Sequence, residues 1–277
     1  MIEALFKYTF LQNAVIGGIF ASILCAIIGS IIIEKKMVML SGGIAHTSFG
    51  GIGLGYYLGI EPIIGAYAIS VLSALGLTVF HRNSDSGNND ALIGILWAVG
   101  MSLGILFIAI TPGYPPDMTS YLFGDILTIS SFNLNLIIVN TILVFLIITV
   151  LFNYWKSYLF DEEFLSILGF NTRVFDYTLF IMVAVSIVSL IKVVGIILVI
   201  ALLTIPPSSA KLFTNKLQNM MILSGFFGIF YTLMGLYISY TINIPSGASI
   251  IILGALVFFI LWSYTHLSKK AKYKTLN

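Results

Sequence analysis

The chain has 277 residues, of which 59% are hydrophobic and only 9% are charged, and its mean hydropathy is +1.06. Soluble domains carry about a quarter charged residues, so this composition excludes a water-soluble fold and indicates a single membrane domain over residues 1–277. The net charge of +2 comes from Lys and Arg in short clusters, which excludes the continuous basic face of a nucleic-acid-binding protein.

Nine apolar runs follow one another along the chain. Each approaches the ~20 residues that cross a bilayer, and in hydrocarbon every backbone amide must pair within its own segment. The sequence therefore predicts an all-α fold, a polytopic bundle of transmembrane helices. The turn at 192–195 has almost no loop, so a longer, broken helix or a half-penetrating segment there would reduce nine spans to eight. Pro206 and Pro207 predict an interruption of the seventh run. The runs are 14–33, 38–58, 62–80, 91–110, 133–154, 174–191, 193–210, 219–241 and 246–265.

The orientation of the bundle follows from its cations, because Lys and Arg in short loops stay on the cytoplasmic side. With the N-terminus outside and the C-terminus inside, only Lys7 and Lys192 lie outside. The chain then ends in a basic cytoplasmic tail over 267–277. The residues predicted inside are Lys35, Lys36, Arg82, Lys156, Arg173, Lys211, Lys216, Lys269, Lys270, Lys272 and Lys274.

The second run carries His46, the only histidine well inside a predicted span. Glycines at 42, 43, 50 and 53 share its helical face, which allows close helix contact or room for a passing solute. An ionisable group at this depth favours a functional role, and neutral imidazole is a common transition-metal ligand. A hydrogen-bonded packing histidine is the alternative. Because no acid accompanies His46 at depth, its partners would be hydroxyls such as Thr47 and Ser48, backbone carbonyls or residues of another helix.

A short amphipathic helix is predicted on the cytoplasmic side, within 157–170. Three consecutive acids at 161–163 suit the positive dipole end of a helix, and Gly169 can close the helix in a left-handed conformation. An exposed apolar stripe needs either a partner protein or the lipid headgroups to cover it. The stripe is formed by Phe160, Phe164 and Leu168.

The sequence lacks the motifs of several enzyme classes. No G-x-x-x-x-G-K-[ST] phosphate loop occurs, so this chain cannot bind and split ATP by that device. The absence of H-E-x-x-H argues against a zinc-dependent membrane protease. The one cysteine, Cys25, excludes both a disulfide framework and a Cys-based zinc motif within the chain.

Six stretches occur in a characteristic order and spacing along nearly the whole chain. They are SGGIAH (41–46), YLFGD (121–125), FDEEF (160–164) leading to Gly169, VGIILV (194–199), IPPSSA (205–210) and IPSGAS (244–249). Taken together, they resemble the permease subunits of the zinc, manganese and iron ABC importer family.

This resemblance implies a non-catalytic permease subunit that spans the cell membrane of a prokaryote and serves an ATP-driven importer of zinc, manganese or iron. The metal would be cargo, with no cofactor bound stably. The implied partners are a second copy of the chain, a pair of cytoplasmic ATP-binding subunits, an extracytoplasmic metal-binding protein and membrane lipid. His46 would be a ligand on the translocation path, and the 160–170 segment would be the coupling helix. The implied coupling residues are Phe160, Asp161, Glu163, Phe164, Leu168 and Gly169.

One departure from the family pattern concerns the metal. Many members place an Asp four residues before this histidine, where this chain has Gly42. Carboxylates favour manganese, whereas imidazole also suits zinc and ferrous iron, so the metal stays open.

An ion-coupled secondary transporter is the alternative function. Such carriers usually hold acids at mid-membrane, whereas the 11 acids of this chain lie near span ends or in loops.

Overall fold

The computed structural model describes residues 7–83, 89–113, 118–124 and 126–274. Asp125 of the fourth-to-fifth span connection and residues 275–277 of the predicted basic tail lie outside these ranges. Within them the regular elements are all helical, which confirms the predicted all-α polytopic bundle. The elements are α1 (Thr9–Glu34), α2 (Val38–Leu58), α3 (Pro62–Asn83), α4 (Asn89–Ile110), α5 (Met118–Phe123), a 3₁₀ turn (Ile126–Thr128), α6 (Ser131–Val150), α7 (Phe152–Phe160), α8 (Glu162–Ile167), α9 (Thr172–Lys211), α10 (Leu217–Ile242) and α11 (Ser246–Lys274).

Seven helices in the described ranges are long and apolar enough to cross a membrane. The α2 helix is not among them, because its glycines, hydroxyl side chains and His46 lower its hydropathy. With 21 residues it nevertheless has the length of a span, and most of it is buried between other helices. The α9 helix has 40 residues, about twice the length that one crossing needs. The number of crossings, eight or nine, and the sidedness of the termini stay predictions.

The first half of α9 runs along α3 from one end to the other. Near its start, Asp176 pairs with Arg82 at the C-terminal end of α3. Near the middle of α9, Lys192 pairs with Glu61, which directly precedes α3, at an N–O distance of 2.8 Å. Three residues later Gly195 has a φ of 76° and a ψ of 160°, which are not helical. The helix is therefore broken at the bundle face opposite to the one where it begins.

The second half of α9 returns to the starting face. Lys211, at its end, pairs with Glu34 of α1 at 3.2 Å. The next residue, Lys35, lies 3.8 Å from the centre of the Tyr158 ring, and the Tyr158 hydroxyl donates to Asp176. The two ends of α9 therefore lie at one face of the bundle, so α9 is a pair of antiparallel helices. This geometry favours nine crossings over eight.

The interruption predicted at the prolines of α9 is wrong, because the helix continues through Pro206 and Pro207 and breaks at Gly195. Pro207 has no N–H to donate to the carbonyl of Leu203. That carbonyl instead faces Gly29 of α1, where an added Cβ would collide with its oxygen. Close backbone contact with α1 thus covers the carbonyl that the proline leaves without its helical partner.

Glycines hold α2 close to both of its neighbours. A Cβ added at Gly50 would lie 2.8 Å from the carbonyl oxygen of Gly100 in α4, which runs parallel to α2. Gly51 and Gly55 pack with similar closeness on α3, the antiparallel neighbour. Of the two roles open to these glycines, close helix contact is therefore the one observed. Gly42 differs, because a Cβ there would meet only one side chain of α4, at 3.8 Å.

Candidate functional site

His46 lies near the middle of α2 at its contact with α4, and only 9% of the residue is exposed. Its imidazole stacks on Trp97, with ring centroids 4.0 Å apart and an angle of 10° between the planes. The Nδ1 atom lies 3.4 Å from the Sδ of Met101, one helical turn beyond Trp97. One face of the imidazole therefore contacts Trp97 and its Nδ1 edge contacts Met101, and both of these residues belong to α4.

Thr47 and Ser48, the hydroxyl residues predicted to accompany His46, use their hydroxyl hydrogens elsewhere. Thr47 donates to the Gly43 carbonyl at 2.7 Å and lies 3.3 Å from the Leu96 carbonyl. Ser48 donates to the Ala45 carbonyl at 2.5 Å and is fully buried. Both hydroxyls satisfy backbone carbonyls at the helix contacts, and their role as metal ligands stays a prediction.

The surroundings of His46 do not form a closed metal cage. Across the described ranges, no three His, Cys, Asp or Glu side chains come together in a group that could hold a metal ion. Structural zinc sites normally use four protein ligands, and the described residues offer His46 no such set. A transit site has to release its ion, and a partial ligand set is compatible with that requirement.

The predicted cytoplasmic element consists of two helices, α7 and α8, separated at Asp161. The Asp161 backbone has φ −153° and ψ 81°, which ends α7, and its carboxylate accepts a hydrogen bond of 2.9 Å from the Phe164 N–H at the start of α8. Phe160 therefore precedes the break, and the continuous helical stripe predicted through Phe164 and Leu168 is wrong in this detail. Gly169 has the predicted left-handed conformation after α8, with φ +84°.

Apolar side chains around α8 are exposed, and Glu163 is exposed beside them. Leu165, on the opposite side of the short helix, is fully buried and anchors it to the bundle. An exposed apolar patch that projects from a charged face is typical of an interaction surface. The exposed fractions are 55% for Phe160, 49% for Phe164, 82% for Ile167 and 53% for Leu168.

A network of charged and polar side chains links α8 to the ends of the spanning helices. Lys35, between α1 and α2, lies 3.5 Å from Glu162 of α8 and over the ring of Tyr158. Tyr158 donates to Asp176 of α9, which also pairs with Arg82 of α3. Burial, and then the hydrogen bond to Asp176, raises the pKa of Tyr158, so the phenol stays protonated and remains a donor.

The C-terminal end of α2 also contacts a neighbouring helix, α5. The hydroxyls of Tyr56 in α2 and Tyr121 in α5 lie 3.1 Å apart. Close by in the chain, Gly124 contacts Gly195 at the break of α9. The helix that carries His46 is thus connected at one end to α8, through Lys35, and at the other to the α5 connection.

Several residues of this arrangement were not predicted from the sequence. Trp97 and Met101 are four residues apart and share a helical face, but one sequence gives no register between α2 and α4. In the sequence, Lys35 indicates only the topology of the bundle, and Glu162 indicates only the start of a helix. Their pairing depends on a contact across more than a hundred residues.

Comparisons with known proteins place the chain in a family. It matches the ABC 3 transport family over residues 7–265. It is 33% identical over 263 residues to the manganese transport system membrane protein MntC of Listeria innocua, which covers 95% of this chain and 93% of that relative. It is 31% identical over 275 residues to the manganese import system permease protein ScaB of Streptococcus gordonii, with 98% of each chain covered. Among solved structures, PsaBC from Streptococcus pneumoniae in complex with Fab is similar, with a TM-score of 0.84, 30% identity and 94% of each chain covered. The chain therefore belongs to the ABC 3 transport family.

Proposed function

We propose that this chain forms the route by which an ATP-driven importer moves a divalent transition metal ion, zinc, manganese or iron, into the cytoplasm. Its family supplies multi-pass permease subunits of metal-type ABC transporters, and their ATPase is a separate, catalytic subunit. Manganese is the metal in the names of the relatives MntC and ScaB, which supports this class of cargo.

The observation that carries the proposal is the position of His46. Burying an ionisable side chain between membrane helices is costly, and such residues usually lie on substrate or ion pathways. The imidazole is held at the α2–α4 contact, and the adjacent Gly42 leaves space beside it. In this proposal His46 binds the ion transiently as the ion passes, and Thr47 and Ser48 contribute oxygen atoms.

ATP hydrolysis on the partner subunit would act on the permease through α8. Its exposed apolar side chains, with Asp161 and Gly169 defining its two ends, fit a groove on a cytoplasmic ATP-binding subunit. Movement of α8 would reach α2 through the contact between Glu162 and Lys35. Two permease copies with two ATP-binding subunits, and an extracytoplasmic metal-binding protein that delivers the ion, complete the proposed assembly.

The test is metal uptake by cells that depend on this transporter. We expect His46→Ala to lower uptake at least tenfold without changing the amount of permease in the membrane, because the ion loses a nitrogen ligand on its path. His266→Ala is the matched control, since His266 stacks on Trp262 near the end of α11 and lies far along the chain from α2. Equal uptake in the His46→Ala and His266→Ala strains would show that His46 has only a packing role.

A further inference from the structure

The distance between the His46 imidazole and the Met101 sulfur is compatible with two ligands of one ion. The Nδ1 and Sδ atoms lie 3.4 Å apart. In a tetrahedral site, a nitrogen at ~2.0–2.1 Å and a thiolate sulfur at ~2.3 Å from zinc are separated by about 3.6 Å, and a neutral thioether sulfur, which binds more weakly, lies slightly farther away. An ion could therefore bridge the two atoms with a shift of only a few tenths of an ångström.

The surrounding residues orient this pair. Trp97 stacks on one face of the imidazole, which directs the Nδ1 edge toward Met101 on the same face of α4. The sulfur belongs to a partly buried residue packed against the core, so its position is restrained. When His46 is the neutral tautomer protonated at Nε2, Nδ1 has a free lone pair directed to the same side as the sulfur.

The chemistry of these two atoms differs from that of a manganese site. Thioether sulfur is a soft ligand and imidazole nitrogen is intermediate, whereas manganese prefers carboxylate and other oxygen ligands. One turn before His46, on the same helical face, Gly42 offers no carboxylate. In the part of the chain that the structure describes, no cluster of acids with histidine replaces it.

We propose that Met101 is a second ligand on the translocation path and that the His46–Met101 pair makes the path select zinc over manganese. This inference rests on the proposed function, because it assumes that the ion passes His46. It assigns Met101 a part in selectivity, and the remaining coordination positions are open to water or to oxygen atoms.

The test is competitive uptake of labelled zinc and manganese by the complete transporter in cells that lack other importers for these metals. The wild-type chain is expected to favour zinc. Met101→Leu keeps the volume of the side chain and removes the sulfur, so we expect the zinc-to-manganese ratio to fall about tenfold while manganese uptake stays within about twofold. Met182→Leu, at a buried methionine of α9, is the matched control and should leave the ratio unchanged.

A ligand exchange separates coordination from packing. Met101→His supplies a nitrogen in place of the sulfur and should retain the preference for zinc, which a purely structural role of Met101 would not explain. An unchanged ratio in Met101→Leu, or a wild-type preference for manganese, would overturn the selectivity role of Met101. The underlying proposal has a separate test: it fails if the His46→Ala change leaves the uptake of both metals unchanged.

Discussion

Gly195 determines where the chain turns between the two halves of α9. Its φ of 76° and ψ of 160° lie in a region that residues other than glycine occupy only with strain. The backbone of Gly124 lies against it so closely that an added Cβ would collide. The contact joins the α9 break to the connection between α4 and α6, at the face opposite α8. Gly124 also has a positive φ, of 65°, so both glycines are needed at this point for their conformation as well as for their lack of a side chain.

Replacing Gly195 by alanine is expected to lower the stability of the permease by about 1–3 kcal/mol, from the strained backbone alone, with a further loss from the collision with Gly124. The midpoint of thermal unfolding of the purified protein in detergent measures this change. Gly76→Ala is the control, because Gly76 is helical and an added Cβ there meets nothing within 4 Å. That control should be neutral or slightly stabilising. Equal unfolding midpoints for the two variants would contradict the account of the break.

The α8 helix is short and is held by a few well-defined contacts. Asp161 caps its first turn, Leu165 anchors it, and Glu162 reaches Lys35 beside α2. Its apolar side chains project away from the bundle. This arrangement suits contact with a partner protein, because the helix is anchored by a buried side chain and its other apolar side chains are exposed.

Phe164→Asp should separate the permease from its ATP-binding subunit while leaving the permease folded, since this side chain is 49% exposed and is not part of the core. Burying an unpaired carboxylate in the contact costs ~2 kcal/mol or more, which lowers the affinity more than tenfold. Co-purification of the two subunits measures this loss.

The control for this change is Phe123→Asp, at a phenylalanine that is 54% exposed at the opposite face of the bundle. It should leave the subunits together. If the Phe164→Asp permease still co-purifies with the ATP-binding subunit, α8 is not the contact.

The sequence predicted the helices well and their contacts poorly. Apolar runs marked the spans because hydrocarbon forces backbone hydrogen bonds to close within each helix. The acids at 161–163 and Gly169 likewise marked the ends of α8 through local chemistry. The interruption predicted at the prolines of α9 is wrong for a non-local reason. The effect of a missing N–H depends on which neighbour covers the carbonyl, and here that neighbour is Gly29.

The candidate site was predicted only in part, for a related reason. His46 was recognisable because an imidazole in an apolar run is unusual whatever surrounds it. Met101 and Trp97 look like ordinary apolar residues of a span, and only the parallel register of α2 and α4 brings them to His46. The pairing of Lys35 with Glu162 similarly depends on how distant segments fold together.

Across the whole molecule, α2 connects the two faces of the bundle. One end lies beside Lys35, which contacts α8, and the other end joins α5 through Tyr56 and Tyr121. His46 lies between these two connections. A change at the face where the ATP-binding subunit is proposed to dock could therefore reach the proposed ion site through the Glu162–Lys35 ion pair and α2.

The most direct test is metal flux into sealed proteoliposomes that contain the full-length chain with its ATP-binding subunit, with the metal-binding protein added outside. We expect metal to accumulate in the lumen only when ATP is enclosed there, and a proton or sodium gradient without ATP to move none. Accumulation that follows an ion gradient in the absence of ATP would contradict ATP-driven import and would identify a secondary transporter instead.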